Sequence, residues 1–232
     1  MRLVLIRHGQ TDSNTSGALD TAWPGRQLNE TGLAQAKALP KKYRELVGQR
    51  PARIHSSFIL RAQQTAAPLA ADQEQLITID PGLAEISAGD LEMSTAGPDT
   101  QEYLSCCISW ASGDLERRMP GGETGVEVLS RFDAAISRLC KGLGDEDVAV
   151  AVIHGAVMRV WGANRLAGLE LGLLAQFPCH NASLTLAEGS PEDGWKAKLW
   201  SDHPLEYWPV DPQATPRTSL EAQQQLSSQL YD

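Results

Sequence analysis

No apolar run in this chain approaches bilayer length, aromatics make up only 6% of it, and no block of lysine and arginine interrupts it. The first absence excludes a helical membrane span, which takes about 18 or more consecutive apolar residues. The N-terminal apolar stretch, Leu3–Ile6, is shorter than the core of a secretory signal, so a cytoplasmic protein with no membrane partner is expected. With 20 Lys+Arg against 29 Asp+Glu and a net charge of −9, the composition argues against nucleic acid as partner. A small anionic substrate stays open, because a local basic pocket can sit inside an acidic shell. Cysteine is scarce as well. Cys106, Cys107, Cys140 and Cys179 form no C-x-x-C pair and no zinc-ligand spacing, so free thiols and no metal site are expected. The G-x-x-x-x-G-K-[ST], G-x-S-x-G and H-E-x-x-H patterns are also missing. Nucleotide triphosphatase, serine hydrolase and zinc protease readings thereby lose their main support.

What the chain does contain is alternation. Strand-like runs stand at Leu3–Ile6, Arg53–Ser56, Leu76–Ile79 and Val148–Ile153, and apolar residues on both faces suit buried parallel strands. Helical spacing falls between them, over about 30–47 behind an Asn29 cap, 59–71 with Pro68 as a kink or early stop, 100–111, 124–142 and 155–167. Ser183–Ala187 and Trp195–Trp200 read as a hairpin. Together they predict an α/β three-layer sandwich, with a mostly parallel central sheet, helices on both faces and an antiparallel edge. The α/β domain is expected over 1–208. Residues 209–232 read as a polar tail, with one weak helix around Leu220–Leu230.

Two histidines share an unusual place. His8 follows the first strand and His154 the fourth, and each precedes a glycine, Gly9 or Gly155. The carboxyl edge of a parallel sheet is where ligands bind, and glycine permits close approach there. His55, His180 and His203 have no such context. Arg7 adjoins His8, and Arg61 falls in the first turn of a helix, where a cation is disfavoured unless an anion is near. Glu85 follows the third strand. Guanidinium groups hold multiply charged oxyanions. A neutral imidazole can attack phosphorus, a protonated one can hold phosphoryl oxygens, and a protonated glutamic acid can supply the leaving group's proton. Phosphoryl transfer through a phosphohistidine, without metal, accounts for the set.

Arg7-His8-Gly9-Gln10-Thr11 resembles the R-H-G-x-T motif of the histidine phosphatase superfamily, which includes phosphoglycerate mutases. Ser57–Ala66 is similar to that family's S-x-L-x-R-A-x-x-T-A segment. Glu85 and His154-Gly155 match its acid and second histidine, and Gly121-Gly122-Glu123-Thr124 resembles the G-G-E-S/T turn before a family helix, in which Arg131 falls. The resemblance implies that His8 is the phosphorylated nucleophile, Glu85 the proton donor, and Arg7, Arg61 and His154 the groups holding the phosphoryl, with Thr11, Asn14 and Gly155 binding substrate. It implies no cofactor.

Two departures follow. Where many members read G-x-W-E-G, this chain reads Gly89-Asp90-Leu91-Glu92-Met93, which makes Glu92 a rival to Glu85 as proton donor. The stretch from Glu85 to His154 is also shorter than the insertion that encloses the site of true mutases, leaving a small cover at about 91–120. A shorter cover admits water to a phosphohistidine, so the expected activity is a phosphatase acting on a small phosphorylated metabolite. The alternatives are a cofactor-dependent phosphoglycerate mutase and a catalytically weak phosphate-ester-binding module. Whether the chain acts alone or as a homodimer is open, and Trp23 and Arg26 are candidates for substrate contact.

Overall fold

Two neighbouring strands of small and branched residues organise the molecule, a computed structural model describing residues 1–169 and 178–207. Strand β1 (Arg2–Arg7) lies parallel to β4 (Val148–Ile153), with Leu3 opposite Ala149 and Ile6 opposite Val152. Side chains alternate between the two faces of a strand. Leu3, Leu5, Ala149, Ala151 and Ile153 therefore enter one core, and Val4, Ile6, Val148, Val150 and Val152 the other. All ten are buried, and each fully buried Val, Leu or Ile contributes about 1.5–3 kcal/mol.

The sheet extends both ways from this pair. Beyond β4 come β2 (Arg53–Ser56) and then β3 (Ile77–Ile79), all parallel. Beyond β1 comes the hairpin of β6 (Leu184–Ser190) and β7 (Gly194–Trp200), with β6 antiparallel to β1. Two short strands, β5 (Leu166–Ala167) and β8 (His203–Pro204), pair with β7. Helices α2 (Glu30–Leu46) and α3 (Leu60–Asp72) cover one face. On the other face lie α4 (Pro98–Ala111), α5 (Gly125–Cys140) and α6 (Gly155–Arg165). This is the expected three-layer α/β architecture with an antiparallel edge.

Local details differ from the sequence reading. Pro68 does not stop α3, which continues to Asp72. The fifth predicted helix ends at Arg165, and its last predicted residues form β5 against Trp195 and Lys196. Leu76 stands outside β3 and is 90% exposed, and Ile79 is exposed at this sheet edge too. A short helix, α1 (Asp12–Ser16), was not foreseen; Thr11 caps it, and the Asn14 side chain returns the bond in a capping box. The predicted tail and its helix around Leu220–Leu230 lie outside the described residues. Among the described residues no helix is long and apolar enough to cross a membrane.

Because β1, β2 and β4 run in one direction, their ends deliver His8, Ser57 and His154 to one edge of the sheet. That edge carries the site.

Candidate active site

His8 is fixed at the end of β1 by its backbone. Its N–H donates to the Ile153 carbonyl at 3.0 Å, and the next N–H, of Gly9, donates to Thr65 Oγ1 at 2.9 Å. Only glycine fits at position 9, since a Cβ there would stand 2.8 Å from the Gly32 carbonyl oxygen. The His8 Nδ1 lies 2.7 Å from the Gly9 carbonyl. A carbonyl only accepts, so Nδ1 carries the proton and Nε2 keeps its lone pair. Arg61 Nε donates to that Nε2 at 3.0 Å. Burial first, then the positive charges of Arg61 and Arg7, hold His8 well below the usual imidazole value. The ring is neutral, with its Nε2 lone pair turned to Arg61.

The cations gather around it. Arg61, buried in the first turn of α3, donates through Nη2 to the Asp20 carbonyl at 2.8 Å. Its Nη1 makes no hydrogen bond and lies 3.7 Å from Asp20 Oδ2. Arg7 donates through Nη1 to the Cys179 carbonyl, while its buried Nε has no partner. Gly155 makes room for it, because a Cβ there would stand 3.1 Å from that Nε. The His154 ring sits 5.1 Å from the His8 ring, with Nε2 2.8 Å from Ser57 Oγ and Nδ1 buried without a partner. Buried donors left unpaired on Arg7 and Arg61, beside one imidazole, form a cradle suited to an oxyanion.

The expectation of a protonated His154 needs correction. Burial, then Arg61, His8, Arg131 and Arg7, push it well below the usual imidazole range, so in this structure it is neutral. An anion in the cradle would favour its charged form.

Glu85 and Glu92 separate clearly. Glu85 lines the cavity of about 90 Å³ that also holds His8, Arg7 and Arg61. Its Oε1 accepts from Ile86 N at 2.9 Å and Val157 N at 2.8 Å, and its Oε2 from Ala156 N at 3.0 Å. Thus Glu85 caps the start of α6, satisfying N–H groups that the helix leaves free. By lone-pair count Oε1 is full and Oε2 keeps one site for a proton. Glu92 is outside the cavity lining. Its Oε1 accepts from Thr21 N at 2.8 Å and Ala22 N at 2.9 Å, and its Oε2 from the Thr21 hydroxyl. It is a latch between the cover and the loop after α1.

Other predicted residues fall into place with adjusted parts. Thr11, Asn14 and Gly155 all line the cavity. The Thr11 hydroxyl is spent on capping α1, and Asn14 Oδ1 accepts from Thr11 N and Asn181 Nδ2, leaving Asn14 Nδ2 as the end for a ligand. Arg131 grips Glu123 at 2.6 Å and donates to the carbonyls of Gly82, Ala84 and Glu85. It therefore holds the turn that presents Glu85. Arg26 and Trp23 lie outside the cavity lining, and Trp23 is 67% exposed.

Sequence reasoning missed Ser57 as a partner of His154, Asn181 as a donor to the His8 carbonyl at 3.1 Å, and Asp20. Ser57 stood within the quoted motif stretch. Asn181 carried no signal because it comes from a distant part of the chain, and Asp20 carried none because it lies in an irregular loop without periodicity. Among the described residues no group of three or more His, Cys, Asp or Glu could hold a metal ion.

Comparison with known proteins identifies a family. The family model described as histidine phosphatase superfamily (branch 1) matches residues 3–203. The glucosyl-3-phosphoglycerate phosphatase of Mycobacterium tuberculosis is 30% identical over 86% of this chain and 94% of its own length. The PE-PGRS family protein PE_PGRS11 of the same organism is 30% identical over 86% of this chain, which spans only 36% of that protein. Among solved structures, a mycobacterial glucosyl-3-phosphoglycerate phosphatase in complex with VO3 superposes with a TM-score of 0.69 at 27% identity, covering 86% of this chain and 98% of the other.

Proposed function

The chain belongs to the histidine phosphatase superfamily and is a phosphomonoesterase of that type; from this premise we propose that it hydrolyses a small phosphorylated metabolite without metal, through a phosphohistidine on His8. The observation that carries the reading is the His8 ring itself, neutral, with its Nε2 lone pair held among Arg61 and Arg7.

In the first step Nε2 attacks phosphorus and the bond from phosphorus to the ester oxygen breaks. Arg61 shifts its Nε hydrogen from the imidazole to a phosphoryl oxygen as substrate enters. Arg7 and Arg61 balance the charge on the transferring group, and His154 supports it through its charged form. Glu85 delivers the Oε2 proton to the leaving alkoxide. In the second step water gives a proton back to Glu85 and attacks phosphorus, the bond to Nε2 breaks, and inorganic phosphate leaves. Cationic side chains thus do what a divalent ion does elsewhere. Nucleic acid and membrane surfaces are not the partners in this reading, which fits the net charge of −9, and the cytoplasm is the proposed location.

The test is a panel of phosphate monoesters with phosphate detection, in the presence of EDTA. Wild type should release inorganic phosphate undiminished by the chelator, and His8→Ala should lower kcat by about 10⁶-fold, as loss of a nucleophile does elsewhere. Phosphate kept esterified in the presence of a bisphosphorylated cofactor would point to a mutase instead. A His8→Ala protein as active as wild type would end the reading.

A further inference from the structure

We propose that Asp20 reads the alcohol part of the substrate: its open carboxylate oxygen takes a hydroxyl or ammonium hydrogen there and turns away esters carrying a second anion. This rests on the phosphatase reading above and names the substrate class within it.

Asp20 is buried, at 9% exposure, yet lines the same cavity as His8 and Arg7. Its Oδ2 is occupied, accepting from Ser13 Oγ at 2.7 Å and Arg26 N at 2.9 Å. Those two bonds, one from α1 and one from the loop that follows, fix the plane of the carboxylate. Oδ1 has no hydrogen-bond donor among the described residues, although an ionised carboxylate accepts on both oxygens. Oδ1 is thus the oxygen of this cavity-lining carboxylate left for a ligand to meet.

The charge along the cavity has a direction. The cationic side chains lining it, Arg7 and Arg61, both flank His8. Glu85 is the other acidic side chain of the lining, and Thr21, Thr100, Tyr103 and Leu104 are uncharged. Asp20 itself stands against Arg61, its Oδ2 3.7 Å from Nη1, so in the proposed pose, with the phosphoryl group on Arg7 and Arg61, the carbon part next to phosphorus is what reaches Oδ1. A hydroxyl or ammonium there completes Oδ1, whereas a carboxylate meets repulsion and leaves Oδ1 unpaired. Specificity of this kind works by penalising the wrong partner as much as by binding the right one.

The experiment compares wild type with Asp20→Asn and Asp20→Ala, after thermal melts establish that they fold. Four esters serve as probes: phenyl phosphate with neither group, glycerol 3-phosphate with hydroxyls, phosphoethanolamine with an ammonium, and 3-phosphoglycerate with a carboxylate. Relative to phenyl phosphate, both variants should gain about tenfold in kcat/KM toward 3-phosphoglycerate and lose about tenfold toward the hydroxyl or the ammonium ester. Which of those two esters falls tells a polyol substrate from an amino alcohol. On wild type alone, glycerol 3-phosphate or phosphoethanolamine should compete with phenyl phosphate more tightly than 3-phosphoglycerate does. If the variants change all four esters by one common factor, Asp20 merely props Arg61 and the proposal is overturned, while the phosphatase reading stands. If wild type hydrolyses none of them, the proposal about Asp20 falls, while the phosphatase reading is decided by the broader monoester panel and His8→Ala.

Discussion

Glu85 and Glu92 belong to one short stretch of chain and have almost the same local bonding, yet they occupy different worlds. Each carboxylate accepts from two backbone N–H groups on one oxygen and from one further donor on the other. Glu85 binds the start of α6 and is held from behind by Arg131, so its carboxylate borders the cavity beside His8. Glu92 binds the loop after α1 and stays out of the cavity. Bond count alone therefore does not identify an acid; what matters is which element the donors belong to. Donors at the start of a helix that begins beside His154 bring a carboxylate to the cavity, and donors on a loop make it a fastener.

The sharpest way to break this contrast is kinetic. Glu85→Gln should lower kcat by about 10²–10⁴-fold, the usual worth of a positioned proton donor. The loss should be smallest for phenyl phosphate esters with acidic leaving groups, which need no proton. Equal loss for all leaving groups would remove Glu85 from the role.

Glu92→Gln should leave kcat within about threefold while raising KM several-fold, because the wall it fastens holds Thr21 and Asp20 in place. Its melting point should fall too, since an amide oxygen cannot satisfy every donor and each orphaned one costs about 1–3 kcal/mol. A kcat collapse like that of Glu85→Gln would reinstate Glu92 as the acid.

A smaller effect distinguishes the buried end of the site from its wall. His8 and His154 are both held well below the usual 6.5 by burial and by neighbouring arginines. Unfolded, each takes up a proton near 6.5; folded, each does so only at lower pH. Between those values the unfolded chain binds more protons, so stability is complete above about 6.5 and declines as pH falls, by up to about 1.4 kcal/mol per pH unit for each histidine. Denaturant unfolding at several pH values reads this slope. His154→Gln should flatten it, and Glu92→Gln should leave it as in wild type.

The same contrast explains what could be read before any fold was known. β1 and β4 are short, apolar on both faces and followed by His-Gly, so period and punctuation alone place His8 and His154 at one edge. Arg61 was legible because a cation in the first turn of a helix is out of place without an anion. The choice between Glu85 and Glu92 was not legible, as it depends on α6 and the loop after α1 meeting the same stretch from opposite sides. Asp20 and Asn181 were invisible because neither has a periodic neighbourhood: Asp20 is fixed inside an irregular loop by Ser13 and Arg26, and Asn181 gains its place from His8 and Asn14, far along the chain. Of the two readings of Pro68, only the early stop fails, because a proline after two turns of α3 weakens the ladder without ending a helix packed on the sheet.

The most direct measurement is to quench the enzyme with alkali during turnover of a labelled phosphate ester and map the label by peptide mass. A phosphoryl group that survives alkali, is lost in acid, sits on His8 and is absent from His8→Ala is the predicted result. Steady turnover with label on another residue, or with none on His8 at any time, would contradict the account.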